Sequence, residues 1–190
     1  MQAQETHRER IIIIGAGPCG LAAAVELQKI GLSPIVIEKQ NVVHSISRYP
    51  VYLEFFSTPE NLEIDGIPFT TAGPKPTRLE ALNYYRTVAL RRNVRIHAFT
   101  AAERLYASPS GGFVLEARRR TGHPVRYEAD FVVVATGYFD HPNLLGVPGE
   151  NLPKVTHFFT EAHPYTNTDV VIVGGANSAV DAALEIERVG

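Results

Sequence analysis

Two glycine-rich stretches carry the residues whose spacing could do chemistry. The first reads Gly15-Ala16-Gly17-Pro18-Cys19-Gly20, a complete GxGxxG that follows an apolar run at 11–14. In such a turn Gly15 permits a tight bend and Gly17 lets a pyrophosphate approach the backbone. Gly20 lets the next helix pack closely on the strand. The phosphates then sit among unsatisfied N–H groups at the positive end of that helix, where Pro18 and Cys19 begin it. Glu38, with Lys39 beside it, ends the next apolar run, where a carboxylate binds ribose hydroxyls. Strand, glycine turn, helix and acidic residue together predict a dinucleotide site. Each glycine taken alone could be an ordinary turn residue.

The second stretch, Gly174-Gly175-Ala176-Asn177-Ser178-Ala179, is a degenerate version in which Ala176 replaces the middle glycine. It predicts a second nucleotide site, the alternative being a packing turn with no ligand. The residue that would select NADP over NAD belongs at the end of the following strand, which the sequence does not reach.

Cys19 has two readings. Between Pro18 and Gly20 the chain needs a small side chain, and a free cysteine is often a buried small hydrophobe. The same place, at a helix N-terminus, favours a nucleophilic thiolate, while a bound pyrophosphate opposes it. It is the only cysteine, so no internal disulfide, dithiol centre or CxxC zinc site can form. His141, His157 and His163 lie in or near a connector, where an acid–base role competes with plain solvation. Tyr138 either covers a ring or packs. Paired carboxylates and metal-ligand spacing are not apparent, so no metal is expected.

These residues need elements to position them. A strand at 11–14, a helix at 21–30 closed by Gly31 and a strand at 35–37 make a parallel β-α-β unit. Residues 41–76 hold aromatics and prolines without a sustained period, which predicts an irregular, partly helical excursion. Thr77 and Glu80 form a capping-box pattern before a helix on which Leu79, Leu82, Tyr85 and Val88 recur. A third parallel strand is expected at 94–98. Alternation from 103 to 129 predicts a small antiparallel meander. A separate, wholly apolar strand at 131–135 follows, ending in Thr136-Gly137. Residues 170–173 predict the strand of a second strand–turn–helix unit.

The fold class is therefore α/β, with a Rossmann-like domain over 1–150, a connector at 151–167 and the start of a second such domain at 168–190. Hydrophobic residues make up 45% and charged residues 20% of the 190, which excludes a disordered chain. Lys and Arg total 18 against 20 for Asp and Glu, so no strong field attracts nucleic acid or an anionic membrane. The basic cluster Arg118-Arg119-Arg120 with Arg126 reads as a solvated hairpin face. No apolar run approaches the roughly 20 residues of a membrane helix, and the start of the chain lacks a signal-peptide pattern. A cytoplasmic protein is expected, and a homo-oligomer is compatible with the sequence.

The stretches GAGPCGLAAA, VIEKQNVVHSI, FFSTPENLEI, ATGYFDHPNLLGVPGE and GGANSAVDAALE span essentially the whole chain. In them the sequence resembles the two-dinucleotide-binding-domain flavoproteins, and within these the bacillithiol disulfide reductase branch. The resemblance implies FAD held by Gly15, Gly17, Gly20 and Glu38, with Thr136 and Gly137 near it. It implies NADPH along Gly174, Ala176, Asn177, Ser178 and Ala179, and Cys19 as a redox-active thiol. The implied activity is NADPH-dependent reduction of a low-molecular-weight thiol disulfide. Members of the family return after the NADPH domain to complete the FAD domain, and this sequence lacks that return, so a fragment is expected. A flavin monooxygenase or NAD(P)H oxidase shares both turns. Its F-x-G-x-x-x-H-x-x-x-[FY] linker is missing, since Phe158 precedes His163 by five places. A non-catalytic nucleotide-binding fragment is the third reading.

Overall fold

The computed structural model describes residues 5–190. Six strands form one sheet in the order β3-β2-β1-β6-β5-β4. These are β1 (Glu5–Ile14), β2 (Ile35–Ile37), β3 (Arg95–His97), β4 (Thr100–Ala107), β5 (Phe113–Arg119) and β6 (Pro124–Val134). β1 runs parallel to β2 and β6, and β2 parallel to β3, while β4, β5 and β6 are antiparallel neighbours. The helices are α1 (Pro18–Lys29), α2 (His44–Ser47), α3 (Arg78–Arg91) and α4 (Asn177–Glu187).

β1 is longer than its apolar run. Its polar half pairs with β6 from Glu5 opposite Val125 onward, and Arg8 lies both in register with Glu128 and within 3.3 Å of its carboxylate. Glu9 binds Arg95 on β3 and Glu5 binds Arg119 on β5. Charge pairing across the sheet thus makes a strand of residues that show no apolar signal.

The meander is not a separate layer. Its last strand and the expected apolar strand at 131–135 are one strand, β6, whose first half bonds to β5 and β1 and whose second half bonds to β1. That second half is not wholly buried either, since Phe131 and Val134 are exposed. Among the described residues no strand lies on its other edge.

Ile13, Val36, Ala16 and Ala24 pack where α1 crosses the sheet. On the opposite face Ile12, Ile14, Ile35 and Ile37 form one cluster with Leu115 of β5 and Val125 and Tyr127 of β6. α1 ends with Gly31 at φ +80°, its N–H bonded to Gln28 O and that of Leu32 to Leu27 O. This pattern closes a helix through a left-handed glycine.

The capping box forms: Glu80 N–H donates to Thr77 Oγ1, and Thr77 N–H to Glu80 Oε2 at 2.8 Å. The buried stripe of α3 is Ala81, Tyr84, Tyr85 and Val88, whereas Leu79 is exposed. Residues 41–76 form the expected excursion, with α2 and a 3₁₀ turn at Pro59–Leu62, and pack Val43, Ile46, Ile64, Ile67 and Phe69 onto α1 and α3. The basic hairpin residues are all engaged: Arg118 with Glu103, Arg119 with Glu5, Arg126 with Glu128, and Arg120 over the Phe99 ring.

Residues 170–173 do not form the expected strand. They have no regular structure and are exposed, because a parallel strand needs a neighbour and none lies beside them among the described residues. α4 does form, burying only Ala182.

No helix among the described residues is long and apolar enough to cross a membrane.

Candidate functional site

The first glycine turn joins β1 to α1, and its three glycines differ in kind. Gly15 has φ +106°, and a β-carbon there would lie 2.3 Å from the carbonyl oxygen of Ala135. A β-carbon on Gly20 would lie 1.9 Å from the carbonyl oxygen of Gly15. At Gly17 the backbone is extended, with φ −76° and ψ 179°, and a β-carbon would meet nothing within 4 Å. Packing therefore demands two of the glycines, and the third borders open space, as a position kept bare for a ligand does.

Gly17 is also the N-cap of α1, and no side chain caps the first turn. Pro18 has no N–H to satisfy. The N–H groups of Cys19 and Gly20 have no acceptor within the helix. This is the arrangement that receives a phosphate, so the residues present fit the pyrophosphate of a dinucleotide.

Glu38 grips the turn directly. Its Oε2 accepts from Ala16 N–H at 2.8 Å and its Oε1 from Gln40 N–H at 2.7 Å. Each carboxylate oxygen keeps a second lone pair, so ribose hydroxyls can still donate to it. The turn is fixed further by Gly15 N–H to Ile37 O and Val43 N–H to Ala16 O. The sequence alone predicts only the ribose role for Glu38.

Lys39 Nζ lies 2.8 Å from Asp140 Oδ2, and Arg48 Nη1 lies 2.5 Å from Asp140 Oδ1. The hydrogen bond from Lys39, with the charges of Lys39, Arg48 and His44, holds the Asp140 carboxyl below its usual range against the opposing effect of burial. The Arg48 guanidinium also stacks over Phe158, 4.5 Å from the ring centre, and over Phe139 at 5.6 Å. Neither Arg48 nor Asp140 stands out in the sequence. They are 92 positions apart, so no local spacing could join them.

Thr136 and Gly137 leave β6 beside the turn: the absent Gly15 β-carbon would lie 3.4 Å from Thr136 Cα, and Gly137 has φ +67°. Cys19 is exposed. It is therefore not a buried small hydrophobe, because the buried face of α1 runs through Gly20, Leu21, Ala24 and Val25 instead.

The second turn repeats the backbone of the first. Gly174 has φ +136°, the N-cap Ala176 is extended two residues later, and Asn177, Ser178 and Ala179 open α4 with no side-chain cap. No hydrogen bond or ion pair among the described residues joins the two turns. The excursion reaches the connector instead, through Val51 N–H to Thr160 O at 3.0 Å. Tyr52 sits beside it, its hydroxyl pushed up to about 12 mainly by burial, with Glu185 and Asp181 of α4 adding to the shift.

Of the histidines, His157 pairs with Glu150 at 3.1 Å, while His141 and His163 are exposed. Tyr138 is exposed too, so it does not pack. Two open surface clefts border α3, and neither involves a residue of the glycine turns.

Residues 12–190 match the family model of the pyridine nucleotide-disulphide oxidoreductases. The chain is 50% identical over 183 residues to the bacilliredoxin reductase Bdr of Bacillus subtilis (strain 168), spanning 96% of this chain and 55% of that protein. Among solved structures it matches the bacillithiol disulfide reductase Bdr (YpdA) of Bacillus cereus with a TM-score of 0.94 at 50% identity, over 97% of this chain and 56% of that one. For the Staphylococcus aureus counterpart the TM-score is 0.91 at 43% identity, over 97% and 55%. The chain thus spans about half the length of these relatives. With the match running from β1 through α4, the chain belongs to the pyridine nucleotide-disulphide oxidoreductase family.

Proposed function

We propose that the protein bearing this sequence is an FAD- and NADPH-dependent oxidoreductase that reduces a low-molecular-weight thiol disulfide of the bacillithiol disulfide kind. The family description supports a pyridine nucleotide as one cofactor class, and a relative 27% identical over 97% of this chain, named a flavin-containing monooxygenase, supports a flavin as the other. The choice of FAD rests on the first turn with Glu38, and that of NADPH on resemblance. The observation that carries the reading is the exposure of Cys19 inside the first glycine turn. A thiol and a phosphate cradle share one helix terminus there. A reductive function of this kind belongs in the cytoplasm, where small thiols are kept reduced.

The two turns have distinct tasks. Gly15, Gly17, Gly20 and Glu38 hold the FAD dinucleotide, with Thr136 and Gly137 beside it. Gly174, Ala176, Asn177, Ser178 and Ala179 hold the pyridine nucleotide. When bound, these cofactors supply the electron pair. Cys19 Sγ, as thiolate, attacks one sulfur of the substrate disulfide. A bond forms between Sγ and that sulfur as the other sulfur leaves as a thiolate. Two electrons and a proton delivered to the mixed disulfide then free the second thiol and restore the Cys19 thiolate.

The test begins with the visible spectrum of the purified full-length protein and the flavin released on denaturation. NADPH oxidation with a low-molecular-weight disulfide is then compared between wild type and Cys19→Ser. Stoichiometric FAD, with disulfide reduction lost in a variant that keeps its flavin, supports the proposal. Protein that stays colourless even with added FAD overturns it, and full activity in Cys19→Ser removes the thiol step.

A further inference from the structure

We propose that Asp140 is a positioning residue for the first dinucleotide cradle, closing it into a ring of contacts through Lys39 and Arg48. The inference rests on the reading of that cradle as the FAD site.

The ring can be traced residue by residue. The glycine turn sits against Ala135, which Gly15 approaches too closely for a side chain. Ala16 N–H binds the Glu38 carboxylate. The next residue, Lys39, binds Asp140, and four residues back along the chain lies Thr136, next to Ala135. The other links are the backbone approach of Gly15 to Ala135 and the bond from Ala16 N–H to the Glu38 carboxylate, joined along the chain. Lys39–Asp140 is the one made by two side chains alone.

Arg48 braces that link from the other side. It binds the second Asp140 oxygen and stacks on Phe139 and Phe158, while Tyr49 meets Phe139 edge-on at 4.8 Å. Residues 136–141 have no ladder of their own. Among the described residues, the hydrogen bonds tying them to another part of the chain all end on the Asp140 carboxylate. This carboxylate, together with Phe139 packed against Arg48 and Tyr49, therefore helps to hold Thr136 and Gly137 beside the glycine turn.

Partly exposed ion pairs add little to global stability. The clasp acts on the placement of one segment, and pre-organised placement is read out as affinity.

Titration of FAD into full-length apoprotein tests this, with wild type, Asp140→Asn, Asp140→Glu and Tyr84→Phe compared by bound-flavin absorbance and by the Tm of the apoproteins. Asp140→Asn is expected to weaken FAD binding by about tenfold and alter the bound-flavin spectrum, with Tm nearly unchanged. Asp140→Glu, which keeps the charge, recovers most of the affinity. Tyr84→Phe, remote from the cradle, lowers Tm but leaves the affinity in place. Wild-type affinity in Asp140→Asn overturns the clasp alone. So does an equal loss in Tyr84→Phe, which would make the effect one of stability. A wild-type protein that takes up no FAD overturns the FAD reading and the clasp with it.

Discussion

The carbonyl oxygen of Gly15 occupies the place where a β-carbon of Gly20 would stand, 1.9 Å from it. Strand end and helix start are thus in backbone contact, and the glycine pair is a condition of folding. Gly20→Ala is expected to destabilise the protein by about 1–3 kcal/mol through overpacking. Gly17→Ala meets no atom. The gain from a stiffer unfolded chain and the loss from a poorer N-cap are both about 0.5–1 kcal/mol and oppose each other. Thermal unfolding separates the two variants: Gly20→Ala loses Tm, and Gly17→Ala keeps Tm but loses FAD uptake.

Glu38→Gln tests the double duty of that carboxylate. An amide offers one acceptor oxygen, so either Ala16 N–H or Gln40 N–H is left facing an NH₂ donor. A loss of about 1–3 kcal/mol is expected, measured by denaturant unfolding of the apoprotein. A pure ribose-binding role would leave the apoprotein's stability untouched.

Tyr84 fastens the irregular excursion to α3. Its hydroxyl accepts from Ile64 N–H at 2.7 Å and donates to Ile67 O at 2.9 Å, and its ring stacks on Phe69 at 4.1 Å. Tyr84→Phe leaves the Ile64 N–H buried without an acceptor, a loss of about 1–3 kcal/mol. Amide hydrogen exchange at Ile64 is expected to accelerate, with exchange in β1 little changed.

Stability near neutral pH should report on His97. Burial above all, with the positive charges of His7, Arg119 and Arg95, lowers its pKa from 6.5, while Glu5 opposes them. Its Nδ1 lies 2.7 Å from the Tyr127 hydroxyl. The unfolded chain binds the proton more readily, so this contribution is complete above the unfolded pKa and lost as pH falls below about 6.5. The lowered carboxyls of Glu5, Asp65 and Asp140 act the same way but only below about pH 4.5, so the windows separate. Tm measured from pH 7.5 to 5 should fall in wild type and fall less in His97→Gln.

Much of the site was legible because it is local. Three glycines at fixed spacing, an acidic residue after the next strand and a Thr–Glu capping box each act within a turn or one β-α-β unit. Their types dictated their backbone: positive φ at Gly15, bare space at Gly17, contact at Gly20. The repeat of that backbone at Gly174 and Ala176 was legible for the same reason.

What the sequence left open depends on partners far along the chain. The polar start of β1 is a strand because Glu128, Arg95 and Arg119 meet it across the sheet. Residues 170–173 have strand-like composition but no ladder neighbour, so composition alone did not decide them. Cys19 faces outward because α1 turns a different stripe to the sheet, and a pattern of small residues cannot say which side is buried. Asp140 reaches Lys39 across 101 positions, a pairing made only when β6 lies beside β1 and brings its C-terminal end to the glycine turn. Sequence spacing determined the cradle; strand order determined what closes it.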